Sequence, residues 1–186
     1  MIISISGVPG SGKTSAGKLL AQKLGMEFYS TGGLFRKMAE ERGMTINALM
    51  KLGEEDITIH KSIDTYQKQL GIDQDQFVIE GRLSWHFIPH SFKVLLLCDT
   101  REAARRTYDA KRALEADRNV EVSYQTIEET EKAIIDRNNS DILGYQKHYG
   151  INFLDPKHFD AVIDTTTSKG AEETAERILS ALPKNP

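Results

Sequence analysis

One glycine-rich segment near the start of the chain constrains its fold and chemistry more than any other feature. It runs Gly7, Val8, Pro9, Gly10, Ser11, Gly12, Lys13 and Thr14, fits the pattern G-x-x-x-x-G-K-[ST], and is followed by Ser15. An apolar run over residues 2–6 precedes it, and a helical pattern that ends at Gly25 follows it. Between a strand and a helix, such a segment turns its backbone N–H groups inward on a polyphosphate. The pattern therefore predicts a nucleoside triphosphate site, with the Lys13 ammonium near the β and γ phosphates and the Thr14 hydroxyl on Mg²⁺.

The length and composition are those of one globular domain: the chain has 186 residues, of which 39% are hydrophobic and 27% charged. A net charge of −3 argues against broad binding to nucleic acid or to a membrane surface. The single cysteine, Cys98, ends an apolar run, which predicts a buried, reduced thiol and excludes a cysteine-based metal site. The chain starts without a basic segment before its short apolar run, and no apolar stretch reaches transmembrane length. We therefore expect a cytoplasmic protein without a membrane anchor.

Short apolar runs alternate with helical patterns along the chain, at residues 2–6, 28–30, 77–80, 94–98 and 161–164. Their brevity, their β-branched residues and the helices between them predict an α/β fold with a five-stranded parallel sheet covered on both faces. The residues at or just after the carboxyl ends of these runs are Gly7, Ser30, Glu80, Asp99 and Asp164. Ligands of open α/β sheets bind outside those ends, so the polar residues fall on the expected edge.

The segments between the strands predict two additions to this core. Residues 33–42, 45–52 and 57–70 have helical patterns and are too long for a simple crossover, which indicates a small helical cap over a substrate. Residues 101–118 mix six basic residues with acidic ones, which fits either a solvated helix face or a substrate lid. A long helix starts near Ser123 or Thr126, where Thr126-x-x-Glu129 forms a capping box, and runs towards His148.

Three further features favour a kinase over other proteins with such a phosphate-binding loop. The chain has neither the N-K-x-D motif by which GTPases bind their base nor the ABC transporter signature. It has Arg36 and Arg82 on loops after the second and third strands, where guanidinium groups can hold a monophosphate in a bidentate way. It also has Glu80 at a strand end, where the carboxylate can hold a water molecule of the Mg²⁺ shell. The alternative for Arg36 is an exposed helix residue.

These motifs together resemble those of the nucleoside monophosphate kinases of the P-loop class, and most closely the short archaeal-type cytidylate kinases. The matching segments are Pro9-Gly10-Ser11-Gly12, Thr31 to Arg36, Glu80-Gly81-Arg82-Leu83, and Arg137-x-x-Ser140 with Tyr145-x-x-x-Tyr149-Gly150-Ile151. The chain departs from the family pattern at Leu143-Gly144, where the family usually has another arginine, and at His60, where an aspartate is expected.

The resemblance implies a three-layer P-loop NTPase fold and transfer of the γ-phosphoryl group of ATP to CMP or dCMP. It implies that Arg106, Arg112 and Arg137 close over the transferring group together with Lys13, and that Thr165 and Thr166 lie near the ATP base. The residues expected to bind the acceptor are Ser30, Thr31, Arg36, Glu80, Gly81 and Arg82, and those expected to hold Mg²⁺ are Thr14 and, through water, Glu80. The implied division is a core of residues 1–30, 71–100 and 123–186, a monophosphate-binding region at 31–70 and a lid at about 101–122.

Several alternatives stay open at the level of sequence. The acceptor could be AMP, UMP, dTMP or another small phosphorylated metabolite, because one side chain can distinguish cytosine from uracil. A non-catalytic assembly factor resembling adenylate kinase is a further possibility, although the negative net charge and the lack of a basic stripe argue against it. We expect a monomer that forms no stable complex with nucleic acid.

Overall fold

The computed structural model describes residues 1–45, 48–49, 52, 57–118 and 125–183. It contains one five-stranded sheet, whose strands run in the spatial order β2-β3-β1-β4-β5 and are parallel at every pairing. The strands are β1 (Ile2–Gly7), β2 (Glu27–Ser30), β3 (Phe77–Glu80), β4 (Phe92–Leu97) and β5 (Ala161–Asp164). The predicted α/β class and the five predicted strands are therefore confirmed.

Helices cover both faces of this sheet. They are α1 (Lys13–Leu24), α2 (Thr31–Glu41), α3 (Ile57–Asp73), α4 (Ser84–Phe87), α5 (Thr100–Arg118), α6 (Ile127–Tyr149) and α7 (Ala171–Ala181), with a short 3₁₀ turn at Pro156–His158. One core cluster joins Leu20 of α1 and Ile178 of α7 to Ile3 and Ile5 of β1. A second cluster, on the opposite face, joins Leu70 of α3 to Ile2 and to β3. The protein thus has the three layers expected of the fold.

The central strand shows why this sheet forms. All six residues of β1 are buried, as is typical of a parallel strand that is covered on both faces. Its serines find partners inside the core: the Ser4 and Ser91 hydroxyl oxygens lie 2.7 Å apart, and the Ser6 hydroxyl donates to the Arg82 carbonyl oxygen at 3.0 Å. The buried hydroxyl groups are therefore hydrogen-bonded, as the low polarity of the core requires.

The helix that follows β2 begins earlier than its sequence pattern predicts. The Ser30 hydroxyl oxygen accepts a hydrogen bond from the Gly33 N–H at 3.0 Å, so Ser30 caps a helix that starts at Thr31 rather than at residue 33. Arg36 consequently lies inside α2, and its predicted placement on a loop is wrong. The helix predicted over residues 45–52 falls largely outside the described residues.

Two other predictions about the helices have clear outcomes. The Thr126 half of the predicted capping box is confirmed, since the Thr126 hydroxyl oxygen accepts from the Glu129 N–H at 3.1 Å. The Glu129 carboxylate accepts from the N–H of Gln125, one residue before the cap, at 2.7 Å. Residues 101–118 form one helix, α5, in which the exposed Arg101 pairs with Glu128 and Glu131 of α6. The rest of the predicted lid, residues 119–122, lies outside the described residues. The division of the chain into core, cap and lid stays a prediction.

Two smaller findings concern solvent exposure. Cys98 is half-buried rather than buried, and its partial burial raises the pKa of the thiol. Among the described residues, no helix combines the length and apolarity that crossing a bilayer requires.

Candidate active site

The glycine-rich segment forms a tight loop between β1 and α1, and its three glycines all have backbone conformations that other residues rarely adopt. Gly10 has a φ of +76°, and a Cβ atom there would lie 2.4 Å from the Ala103 carbonyl oxygen at the start of α5. Gly12 has a φ of +86° and precedes the first residue of α1. The N–H groups at the start of α1 therefore face the loop, which is the arrangement that binds phosphate.

Lys13 lies inside this loop. Its Nζ donates to the Val8 carbonyl oxygen at 2.7 Å. The pKa of Lys13 is lowered to about 7, mainly by burial of the ammonium group and next by the positive charge of Arg82, while the Glu80 carboxylate opposes both effects. The negative charge of a bound polyphosphate would reverse this balance and favour the protonated form.

Thr14 and Glu80 connect the loop to the carboxyl end of β3. The Thr14 hydroxyl donates to the Glu80 carboxylate, at 2.8 Å to Oε2 and 3.0 Å to Oε1. Glu80 is 9% exposed, whereas Thr14 is exposed. Hard oxygen donors of this kind suit Mg²⁺, which keeps several waters and takes others of its ligands from phosphates. Among the described residues, no group of three or more acidic, histidine or cysteine side chains is placed to hold a metal ion.

A large cavity opens beside the loop, between α5 and the start of α7. Its volume is about 690 Å³, and its lining includes residues 10–15 and 168–171. Arg106 crosses one wall: its guanidinium pairs with Glu102 at 2.8 Å and donates to the carbonyl oxygens of Thr165 at 2.8 Å and Thr166 at 3.1 Å. The structure thus places Arg106 against the segment after β5.

The Thr165 side chain joins the segment after β5 to the phosphate-binding loop by a hydrogen bond. Its side chain is fully buried, and its hydroxyl lies 3.1 Å from the Ser11 carbonyl oxygen and 3.0 Å from that of Leu97. The Thr166 hydroxyl oxygen accepts from the Asp99 N–H at 2.9 Å. The predicted nucleotide residues at 7–15 and at 165–166 therefore meet in one place. The side chain of Arg112 lies outside the described part of the structure.

Arg82, on the turn after β3, is the more enclosed of the two predicted acceptor arginines. Its side chain is 15% exposed, forms an ion pair with Asp141 of α6, and stands 5.4 Å from the centre of the Phe153 ring. Burial lowers the pKa of Arg82, and the Asp141 carboxylate partly offsets that effect. Arg137, one turn before Asp141, is more exposed, with its Nε 3.9 Å from the same carboxylate.

The remaining predicted acceptor residues surround the start of α2. Gly81 lies so close to α2 that a Cβ atom there would come within 2.5 Å of the Thr31 side chain. Arg36 is exposed and lines a cavity that also includes Thr14 and Ser30, whereas Arg82 lines a different one. The structure therefore does not bring Arg36 and Arg82 together in one cavity.

Sequence reasoning missed two groups at this site. It assigned no role to Asp141, although the spacing of four residues from Arg137 is that of a helical ion pair and is visible in the sequence. It also assigned no individual role to Asp64 of α3, whose carboxylate accepts a hydrogen bond from the Tyr149 hydroxyl at 2.6 Å. Because 85 residues separate these two partners, no local pattern indicates their contact.

Comparison with known proteins agrees with this geometry. Residues 2–167 match the model of the cytidylate kinase-like family. The chain belongs to this family. A cytidylate kinase of Methanocella arvoryzae is 35% identical over 186 residues, which cover 99% of each chain. A cytidylate kinase of Methanosarcina acetivorans is 33% identical over 168 residues, which cover 89% of this chain and 87% of the relative.

Solved structures of lower identity share the fold of this cytidylate kinase-like chain. An uncharacterized protein from Eubacterium ventriosum superposes with a TM-score of 0.69 at 16% identity, covering 97% of this chain and 96% of the other. Shikimate kinase from Bacteroides thetaiotaomicron superposes with a TM-score of 0.64 at 16% identity, covering 97% of each chain. These likenesses confirm the kinase fold predicted from the phosphate-binding loop.

Proposed function

We propose that the protein transfers the γ-phosphoryl group of ATP to the phosphate of CMP or dCMP, which yields ADP and the nucleoside diphosphate. The observation that carries this proposal is the hydrogen bond between Thr14 and Glu80. It joins the triphosphate loop to the end of β3, and the enclosed Arg82 follows Glu80 by two residues. A nucleotide phosphate bound at Lys13 would therefore lie beside a guanidinium group suited to a second phosphate. The relatives named cytidylate kinase support cytosine as the base.

No strong general base is needed for this reaction, because a monophosphate is already ionised at neutral pH. Catalysis then depends on positioning the two phosphates in line and on neutralising their charge. Lys13 would exchange the Val8 carbonyl oxygen for the β and γ phosphate oxygens. Arg82 would fix the acceptor phosphate, with Arg36 assisting from α2, and Arg137 would reach the transferring group from α6. Arg112 stays a candidate for closing the site against water.

Thr14 and Glu80 are the residues that would hold Mg²⁺, with the carboxylate acting through a water molecule. A bound Mg²⁺ would neutralise phosphate charge during the transfer. The role of these side chains is to keep oxygen donors at the boundary between the two phosphate sites.

In this proposal Arg106 has a role different from the contact with the transferring phosphoryl group that its position in the predicted lid suggests. Its hydrogen bonds hold the backbone of Thr165 and Thr166, which leads into residues 168–171 on the wall of the large cavity on the ATP side. Arg106 would shape the site for the ATP base and ribose, and Thr165 would link that wall to the phosphate loop.

The alternatives have less support. The relatives cited above carry the name cytidylate kinase, which favours CMP over AMP, UMP and dTMP and favours an enzyme over an assembly factor. The structural neighbours named shikimate kinase share too little sequence with this chain to indicate its substrate.

Product analysis tests the proposal directly. Purified protein incubated with ATP, Mg²⁺ and CMP should form CDP and ADP in equal amounts, as separated by ion-exchange chromatography. Lys13→Met should reduce the rate roughly a thousandfold, because the lost charge acts mainly on the transition state. If ADP forms without CDP, the protein is an ATPase; if neither forms, it is not a kinase for CMP.

A further inference from the structure

A second cavity lies against Arg82, and two polar side chains from neighbouring turns of α3 line it. These are Asp64 and Gln67, which are three residues apart and therefore on the same side of the helix. The rest of the lining is mostly apolar or aromatic and includes Phe35, Ile63, Leu83, Phe87 and Tyr145. The cavity has a volume of about 50 Å³, so a pyrimidine base would have to widen it on binding. Apolar walls with a few fixed polar groups are typical of ligand sites.

A contact from another helix holds Asp64 in place. The Tyr149 hydroxyl, near the end of α6, donates to Asp64 Oδ2 at 2.6 Å. The Tyr149 ring is itself fixed by an edge contact with Phe87, at 5.8 Å between ring centres. Burial and this hydrogen bond raise the pKa of Tyr149, so the hydroxyl stays a donor at neutral pH. An ionised carboxylate is an acceptor only and can accept several hydrogen bonds, so Asp64 presents an acceptor surface to the cavity.

Gln67 is oriented in a different way. It is 3% exposed, and its Oε1 accepts from the Ser84 hydroxyl at 2.7 Å, a contact in which both groups are buried. The amide NH₂ group is then the remaining polar part of the side chain; its only described partner is the Ile63 carbonyl oxygen, at the long distance of 3.5 Å. The wall therefore offers an acceptor at Asp64 and a donor at Gln67.

An acceptor at Asp64 and a donor at Gln67 match cytosine better than uracil. Cytosine carries an amino donor at position 4 and acceptors at N3 and O2, whereas uracil carries an acceptor at position 4 and a donor at N3. Resting on the proposed function, we propose that Asp64 accepts the 4-amino group of the acceptor nucleotide and that Gln67 donates to its N3 or O2. With uracil, Asp64 would face the acceptor oxygen at position 4, and Gln67 would face a donor wherever it contacts N3; such mismatches discriminate strongly between substrates.

The first arm of the test changes only the nucleotide. Wild-type protein is assayed with CMP, UMP and the 2-pyrimidinone ribonucleoside monophosphate, which lacks the 4-amino group. We expect kcat/KM for UMP and for the analogue to fall about tenfold or more below that for CMP, because each loses a hydrogen bond to a charged group. Equal kcat/KM for the analogue and CMP would overturn the inference without any variant.

The second arm changes the side chain. Asp64→Asn keeps the shape but lets the amide present either a donor or an acceptor, so the ratio of kcat/KM for CMP to that for UMP should fall about tenfold or more. The KM for ATP should stay within about twofold, as expected for a residue on the acceptor side. The matched control is Asp73→Asn, which removes one charge from the same helix at a residue that contacts Gln69 and does not line the cavity.

The outcomes separate this inference from the proposed function. A ratio that stays within twofold of wild type in Asp64→Asn, in a protein that phosphorylates CMP, overturns the assignment of Asp64 alone. A wild-type protein that phosphorylates no pyrimidine monophosphate overturns the proposed function, and this inference with it.

Discussion

The surroundings of Lys13 disfavour the charged form of its side chain. Its pKa is lowered to about 7 by burial and by Arg82, so at pH 8 most of the ligand-free protein has a neutral Lys13. The phosphates of ATP would raise that pKa well above 8, and the protein would then take up a proton as it binds the nucleotide. Calorimetric titrations at pH 8 in two buffers of different ionisation enthalpy should show uptake of roughly one proton per ATP.

The pH dependence of the affinity for ATP gives a second measurement of the same proton uptake. Above pH 7 the affinity for ATP should fall as the pH rises, because protonating Lys13 becomes harder. Lys13→Met should bind with no linked proton and with a flatter pH dependence. Binding heats that do not depend on the buffer in the wild-type protein would contradict the assigned charge state of Lys13.

Arg36 and Arg82, the two arginines proposed to bind the acceptor phosphate, lie in different surroundings. Arg82 is largely enclosed and paired with Asp141, whereas Arg36 is exposed on α2. Arg82→Lys keeps a charge beside Asp141 but removes the planar fork, and we expect it to raise the KM for CMP about tenfold or more while the KM for ATP changes less. Arg36→Ala should act in the same direction with a smaller effect, since exposed charges are screened by water.

The control for Arg36 is Arg42→Ala, at an exposed position just after α2, which should leave both KM values unchanged. An equal rise in the two KM values for Arg82→Lys, or a rise for ATP alone, would show that Arg82 does not belong to the acceptor side.

At the scale of elements, Arg106 connects α5 to the segment after β5. Its guanidinium donates to the Thr165 and Thr166 carbonyl oxygens and pairs with Glu102 within its own helix. Arg106→Ala should loosen the segment after β5, beside the large cavity. We expect the KM for ATP to rise several-fold, with little effect on the KM for CMP.

Arg101→Ala is the matched control for this prediction, because Arg101 lies on the same helix but pairs with α6 at the surface. A loss of kcat at unchanged KM for ATP in Arg106→Ala would instead support the original expectation that Arg106 contacts the transferring phosphoryl group.

The elements also show what the sequence could and could not predict. The start of α6 was predictable because Thr126 and Glu129 form a cap from neighbouring residues. The early start of α2 is not predicted by the sequence pattern, because Ser30 both ends β2 and caps the helix. The partners of Arg106 were not predictable, since backbone carbonyl groups 59 and 60 residues away carry no signature in the sequence.

At the scale of the whole molecule, the strand order decides which residues meet. Because β1 lies between β3 and β4, the phosphate-binding loop is flanked by Glu80 on one side and by the segment that leads to Asp99 on the other. The sequence predicts that the polar strand ends share one edge, and that is where the structure places them. It does not predict the contacts of Asp141 with Arg82 or of Asp64 with Tyr149, because they join elements that are distant in the sequence.

The central claim, a kinase that acts on cytidine monophosphates, is tested most directly by a panel of acceptors. The value of kcat/KM is measured by ADP release with ATP, Mg²⁺ and each of CMP, dCMP, UMP, AMP, GMP and dTMP. We predict that CMP and dCMP give the highest values, that UMP follows, and that the two purine nucleotides are poor acceptors. The highest kcat/KM for AMP or dTMP would contradict the cytidylate assignment, and the absence of ADP release with every acceptor would contradict the kinase assignment itself.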